Sequence, residues 1–242
     1  MKDQLLKIIR LIINPAGYEI LKYRTTNPSH LVLHHLNAYG IKLILDVGAN
    51  TGQYSSRIRK AGYRGQIISF EPLSDAFQVL SATAGKDKNW KTYNFAMGDY
   101  DGPSTINVSM HSPSSSLLPM TKLLSEAAPG SEYINEQKIE IKRLDSIYNT
   151  LGLTGVNTFL KIDTQGYEKK VLDGAVNSLS GITGIQLELS AAMLYEGEET
   201  YYSICRFIEE RGFHLLRIIP GYTHKVTGEM LQFDALFFRK QD

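Results

Sequence analysis

The chain has 242 residues, enough to bury one full core and ordinary for a single α/β domain. With 26 Lys and Arg against 25 Asp and Glu its formal charge is +1, so no overall field favours a nucleic acid or an acidic polymer. Cys205 is the single cysteine, which excludes an internal disulfide and a thiolate metal cluster.

No apolar run approaches the roughly 20 residues that span a bilayer. The opening MKDQLLKIIRLIINP lacks the small-residue cleavage site of a secretory signal, so the expected compartment is the cytoplasm. Residues 1–40 read as a helical extension ahead of an α/β domain over 41–242. Leu5, Ile8, Ile9 and Ile12 fall on one helical face, and Asn14-Pro15 ends the run. Residues 1–24 carry five cationic side chains against two anionic ones. A basic amphipathic helix of this kind docks on its own domain or makes a peripheral membrane or partner contact.

From Ile41 strands and helices alternate. Lys42–Val47 is a short apolar run ending in Gly48-Ala-Asn-Thr-Gly52, and Tyr54, Ile58 and Ala61 then share a helical face. Gly65–Phe70 reads as a second strand, closed by Glu71-Pro72 and followed by a helix from Ser74 to Thr83. Trp90–Met97 reads as a third strand. After the turn cluster Gly98–Gly102, Ser104–Met110 alternates as a strand. Ser112–Gly130 reads as a long loop with a short helix, and such loops in compact domains are usually functional. Lys138–Lys142 alternates again, a helix begins near Asp145, and Thr158–Ile162 is a strand of buried type. A helix over Glu168–Leu179, a strand over Gly184–Leu189 and a helix with Tyr201, Ile204, Cys205 and Ile208 on one face follow. The closing strands Phe213–Ile219 and Asp234–Arg239 are joined by a link too irregular for a crossover helix, which predicts an antiparallel hairpin. The whole predicts an α/β fold: a mostly parallel sheet with helices on both faces.

Ligands of open α/β sheets bind beyond the carboxyl ends of the strands. Gly48 and Gly52 let the loop after the first strand turn tightly and approach a ligand, and the following helix offers free N–H groups to a carboxylate. Glu71, 25 residues after Asp46, is placed to accept hydrogen bonds from ribose hydroxyls. A dinucleotide fingerprint G-x-G-x-x-G starting at Gly48 would need glycine where Asn50 and Gln53 stand. The loop therefore suits S-adenosylmethionine better than a nicotinamide dinucleotide.

Several blocks resemble the FkbM family of S-adenosylmethionine-dependent methyltransferases: Leu45–Gly52, Ser69–Pro72, Asn94–Asp99, Arg143–Ser146, Leu160–Glu168 and Leu187-Glu188. The resemblance covers about residues 41–240. Lys-Ile-Asp-x-x-Gly-x-Glu is the block most specific to the family, whereas the glycine loop is common to class I methyltransferases. The resemblance implies a Rossmann-like, seven-stranded class I fold and O-methylation, often of a sugar hydroxyl in a glycoconjugate or natural product. It also makes Asp46, Gly48, Asn50, Gly52, Glu71, Ala96, Met97 and Asp163 the expected cofactor contacts. This chain departs from the family at Gln165, where Glu is frequent.

Methyl transfer is an in-line displacement served by positioning, and a protonated hydroxyl needs a base. Asp163 and Glu188, each at the end of a strand, are the expected catalytic pair, Asp163 first. Asp163 could instead hold the cofactor's ammonium, and Glu188 could be a loop staple. Lys161, inside a buried strand, is expected to snorkel outward. Two carboxylates could hold Mg²⁺, but with Gln165 uncharged no metal is assigned. His111, Ser115 and Ser116 in the long loop, Glu188, and Tyr195 in the acidic stretch Tyr195–Glu199 are the candidate substrate contacts. His30 and His34 share a helical face without a metal-site partner, and His224 carries no assigned chemistry. A carboxyl methyltransferase, a nicotinamide-dependent oxidoreductase and a non-catalytic cofactor- or partner-binding domain remain the competing readings.

Overall fold

The computed structural model describes residues 26–240 and a few isolated positions before them. The expected face of Leu5, Ile8 and Ile12, and most of the basic segment 1–24, lie outside the described residues. Helix α1 (Pro28–Ala38) starts at Asn27, whose Oδ1 accepts from the Ser29 and His30 N–H groups, with Pro28 pre-set for the first turn. Its buried Val32 and Leu36 join Ile44, Phe159 and Phe238 in one apolar cluster, so packing runs across the expected boundary at residue 40.

In chain order β1 (Leu43–Val47), α2 (Gln53–Ala61), β2 (Gln66–Phe70), α3 (Ser74–Ala84) and β3 (Trp90–Tyr93) form the first half of the sheet. Then come β4 (Ala96–Met97), β5 (Gly102–Ser109), α4 (Lys122–Ala127), β6 (Tyr133–Lys142) and α5 (Leu144–Ile147). The second half is β7 (Thr158–Ile162), α6 (Glu168–Asp173), β8 (Ile182–Ser190), α7 (Tyr201–Glu209), β9 (Phe213–Pro220) and β10 (Gln232–Arg239). The main sheet has seven strands in the order β3-β2-β1-β7-β8-β10-β9. All neighbours are parallel except β10, which runs antiparallel to both β8 and β9. This is a class I methyltransferase fold with the expected closing hairpin. β1 and β7 are buried at every position, as central strands covered on both faces must be.

Two expected elements are divided. The run Trp90–Met97 breaks after Tyr93, because the Asn94 side chain donates to the Glu71 and Pro72 carbonyls and turns the chain. β4 then pairs with β6 in a second sheet, β4-β6-β5, which strand alternation did not reveal. The helix expected over Glu168–Leu179 stops at Asp173. Gly174 lies so close to the Gly98 carbonyl that a Cβ would sit 1.8 Å from its oxygen, and only a short 3₁₀ turn, Ser178–Gly181, follows.

Candidate active site

The carboxyl ends of β1, β2, β7 and β8 open into one cleft of about 280 Å³. Over β1 and β2 its wall is mostly backbone. Gly48 has φ +72°, and a Cβ there would lie 1.9 Å from the Asp163 carbonyl oxygen, so the glycine loop and the end of β7 touch directly. Asn50 is left-handed at φ +46°, and its Oδ1 accepts from the Thr51 N–H. Its Nδ2 donates to Ser112 Oγ at 2.8 Å, tying the long loop to the glycine loop. The Glu71 carboxyl is buried; Oε2 accepts from Asn50 N–H and Oε1 from Leu73 N–H, each at 2.8 Å. Burial raises its pKa to about 7, even though both backbone donors and the Lys161 charge pull the other way. Phe70, Pro72, Leu73, Ala96 and Met97 give this end an apolar lining.

Over β7 and β8 the wall is made of side chains. Lys161 does not snorkel. It is buried, with Nζ 3.2 Å from Asp46 Oδ1 and 3.3 Å from Asp163 Oδ2, and it donates to the Gly48 carbonyl at 3.3 Å. Burial alone would lower its pKa, but the Asp163 and Asp46 charges outweigh that and hold it above the usual lysine range. Register explains the grouping: Asp46 and Lys161 are partners on neighbouring parallel strands, and so are Asp46 and Ser69. Asp46 Oδ2 accepts from Ser55 Oγ at 2.7 Å and Ser69 Oγ at 3.4 Å, while Trp90 Nε1 donates to Ser69 Oγ at 2.9 Å. A buried polar chain thus runs from β3 to β7 beneath the glycine loop.

Asp163 and Glu188 face each other across Gln165. Gln165 Nε2 donates to Asp163 Oδ1 at 2.9 Å and to Glu188 Oε2 at 2.5 Å, and Tyr195 Oη donates to Gln165 Oε1 at 2.7 Å. Glu188 Oε2 also accepts from Gln232 Nε2 at 3.0 Å. Burial pushes the Asp163 pKa up, but the Lys161 ammonium and hydrogen bonds from Gln165 and Glu188 prevail and hold it below the usual carboxylate range. Glu188 is driven well above that range by burial and by the Asp163 charge. Two carboxyl groups this close cannot both ionise freely, so Asp163 carries the charge and Glu188 the proton.

Of the expected residues, Gly48, Asn50, Glu71, Ala96, Met97, Ser115, Asp163 and Glu188 line the cleft. Asp46 and Gly52 support it from below; a Cβ on Gly52, at φ +86°, would press on Leu80 and Trp90. His111, Ser116 and Tyr195 do not line the cleft. His111 is exposed outside the cleft, with Nδ1 3.2 Å from Ser114 Oγ. Ser116 is buried and donates to the Gln165 carbonyl at 2.6 Å, and Tyr195 is fully buried behind the Gln165 amide. The acidic stretch after β8 is only partly solvated: Glu198 is buried and accepts from Ser190 Oγ and the Leu194 and Tyr195 N–H groups, which fixes Tyr195. Sequence reasoning assigned no site role to Lys161 or Gln165. A lysine inside an otherwise apolar strand, level with an aspartate on another, was the available signal for the first.

Comparison with known proteins decides the family. The family described as "Methyltransferase FkbM domain" matches residues 46–215, from the first strand into β9. The chain belongs to the FkbM methyltransferase family. It is an S-adenosylmethionine-dependent methyltransferase. The 2-O-methyltransferase NoeI of Sinorhizobium fredii (strain NBRC 101917 / NGR234) is similar at 26% identity over 196 residues, 78% of each chain. The crystal structure of methyltransferase FkbM from Methylobacillus flagellatus KT is similar in fold, with a TM-score of 0.50 and 15% identity. That likeness covers 82% of this chain and 43% of the other. In this FkbM chain the family match includes the glycine loop, Glu71, Asp163 and Glu188.

Proposed function

We propose that this FkbM-family enzyme methylates a hydroxyl group of a sugar, a glycoconjugate or a natural-product intermediate. The observation that carries the reading is Asp163: a carboxylate kept charged by Lys161, at the end of β7, in the same cleft as Glu71 and the glycine loop. The site's donor set fits S-adenosylmethionine. Glu71 keeps lone pairs for ribose hydroxyls, Phe70, Leu73 and Met97 form an apolar seat for an adenine, and the backbone from Gly48 to Gln53 meets the amino-acid end. When bound, the cofactor supplies a methyl group activated by a sulfonium.

The chain's own residues do the rest. Asp163 accepts the proton of the attacking hydroxyl, a contribution of about 10²–10⁴-fold for a positioned base. Glu188, protonated and hydrogen-bonded to Asp163, keeps a carboxyl oxygen to accept from a hydroxyl of the acceptor. Lys161 remains an ammonium throughout, so the negative charge of Asp163 is balanced before the proton arrives. The NoeI relative is named a 2-O-methyltransferase, which supports an oxygen acceptor.

The test is methyl transfer from labelled S-adenosylmethionine to a panel of neutral sugars, glycoconjugates and carboxylic acids, with wild type and Asp163→Asn. Hydroxyl methylation that falls at least a hundredfold in D163N is expected. Label found on a carboxylate and largely kept in D163N would establish a carboxyl methyltransferase instead, because a carboxylate nucleophile needs no base.

A further inference from the structure

Gln165 is held from four directions. Its backbone sits at φ +55°, a conformation that a non-glycine residue keeps only where the surroundings impose it. Its carbonyl accepts from Ser116 Oγ at 2.6 Å. The next residue, Gly166 at φ +91°, leaves no room for a side chain, since a Cβ would lie 2.8 Å from the Tyr195 ring. Its amide oxygen accepts from Tyr195 Oη at 2.7 Å, so the amide nitrogen can point only toward the two carboxyl groups. Both amide hydrogens are then used, on Asp163 at 2.9 Å and on Glu188 at 2.5 Å. The two N–H bonds diverge, so the amide bridges the two carboxyl groups and fixes the orientation of each.

We propose that Gln165 is a positioning residue whose amide holds Asp163 and Glu188 together as one pair sharing a single proton, with Asp163 the charged member facing the acceptor. The inference rests on the reading of Asp163 as the base and adds the device that assigns it that part. Lys161 on β7 supplies the asymmetry, lying 3.3 Å from Asp163 Oδ2. The other titratable groups acting on the pair are Glu168 on α6, Asp234 on β10 and Tyr195 after β8, and the Arg57 guanidinium on α2 lines the same cleft. Arg57 is the one cation among these, and its charge acts on Asp234 and Tyr54. A carboxylate in place of the amide would bring a third acid into the same space, whereas the amide brings two donors and no charge.

Infrared difference spectroscopy across pH 5–9 reads the shared proton directly and needs neither cofactor nor acceptor. Wild type is expected to show protonated carboxyl bands at neutral pH, one of which vanishes in Glu188→Gln and outlasts those of Glu71 and Glu168 as pH rises. In Gln165→Ala the titration of the same band should move by at least one pH unit, with S-adenosylhomocysteine affinity within about threefold of wild type. Tyr195→Phe, which frees only the oxygen end of the amide, should shift it in the same direction by less, and serves if Q165A fails to fold. A band unchanged in both variants would overturn the positioning role, and no such band in wild type would overturn the shared proton. Loss of S-adenosylhomocysteine binding by wild type would instead count against the methyltransferase site, leaving the infrared result to stand alone.

Discussion

The two halves of the cleft are built differently. The half over β1 and β2 comes mainly from residues 46–54 and 70–73, with Ala96 and Met97, and its polar groups are mostly backbone: N–H groups, a close turn and one carboxylate. The half over β7 and β8 gathers side chains from segments far apart in the chain, among them Ser116, Lys161, Gln165, Glu188, Tyr195 and Gln232. A backbone site depends on what side chains must leave empty. A side-chain site depends on which ones are present and how each is held. The first should therefore be broken by adding atoms, the second by exchanging them.

The largest effect is expected from Gly48→Ala. Its Cβ would fall 1.9 Å from the Asp163 carbonyl oxygen in a left-handed backbone, so the junction of the two halves must open. S-adenosylhomocysteine binding should be lost by calorimetry, and denaturant unfolding should show a destabilisation of about 3 kcal/mol or more. Asp163→Asn comes next, with turnover down about 10²–10⁴-fold and cofactor affinity nearly unchanged; weakened binding of equal size would place Asp163 on the cofactor instead. Glu71→Gln should weaken S-adenosylhomocysteine by about 10–100-fold, the value of one or two hydrogen bonds to a charged group.

A pH series sharpens the same contrast. Glu71 and Glu168 are both raised to about 7, Glu71 mainly by burial against the help of its two backbone donors and Glu168 mainly by burial. Each binds its proton more tightly folded than unfolded, so the free protein should be most stable near pH 4.5 and lose stability as pH rises to about 7. Asp163, displaced the other way, loses its contribution only at pH values below the usual carboxylate range, outside that window. The double variant Glu71→Gln, Glu168→Gln should reduce the slope, seen as Tm against pH, and leave the part that Glu188 contributes. S-adenosylhomocysteine should bind more tightly as pH passes 7, because ribose hydroxyls donate to the ionised Glu71, and E71Q should remove that trend. The smallest effect is expected from Ser112→Ala: losing the single bond from Asn50 Nδ2 should change S-adenosylhomocysteine affinity by a few-fold at most.

The same division governs how much could be read before the fold was known. β1, β7 and the closing hairpin follow from short apolar runs and turn residues, which act over a few positions, and β7 was placed at its observed ends, Thr158–Ile162. Gly48, Glu71 and Asp163 followed from spacing along strands that end at one edge, because a glycine loop and its acidic partner are local features joined by one parallel pairing. The break at Asn94 and the stop at Gly174 were hidden, since each is caused by a contact with a distant backbone carbonyl rather than by neighbouring residues.

Local pattern along the chain was thus sufficient for the alternation of elements, the glycine loop, and the carboxylates at the strand ends, because each depends on periodicity and short-range backbone freedom. Only the folded arrangement could show that Lys161 turns inward. Its charge is held by Asp46 from one strand and Asp163 at the end of its own, and a buried ammonium is tolerable only where such partners are assembled. Gln165 is the same case: an amide becomes a clamp when Asp163, Glu188, Ser116 and Tyr195 converge on it, and that convergence is a property of packing.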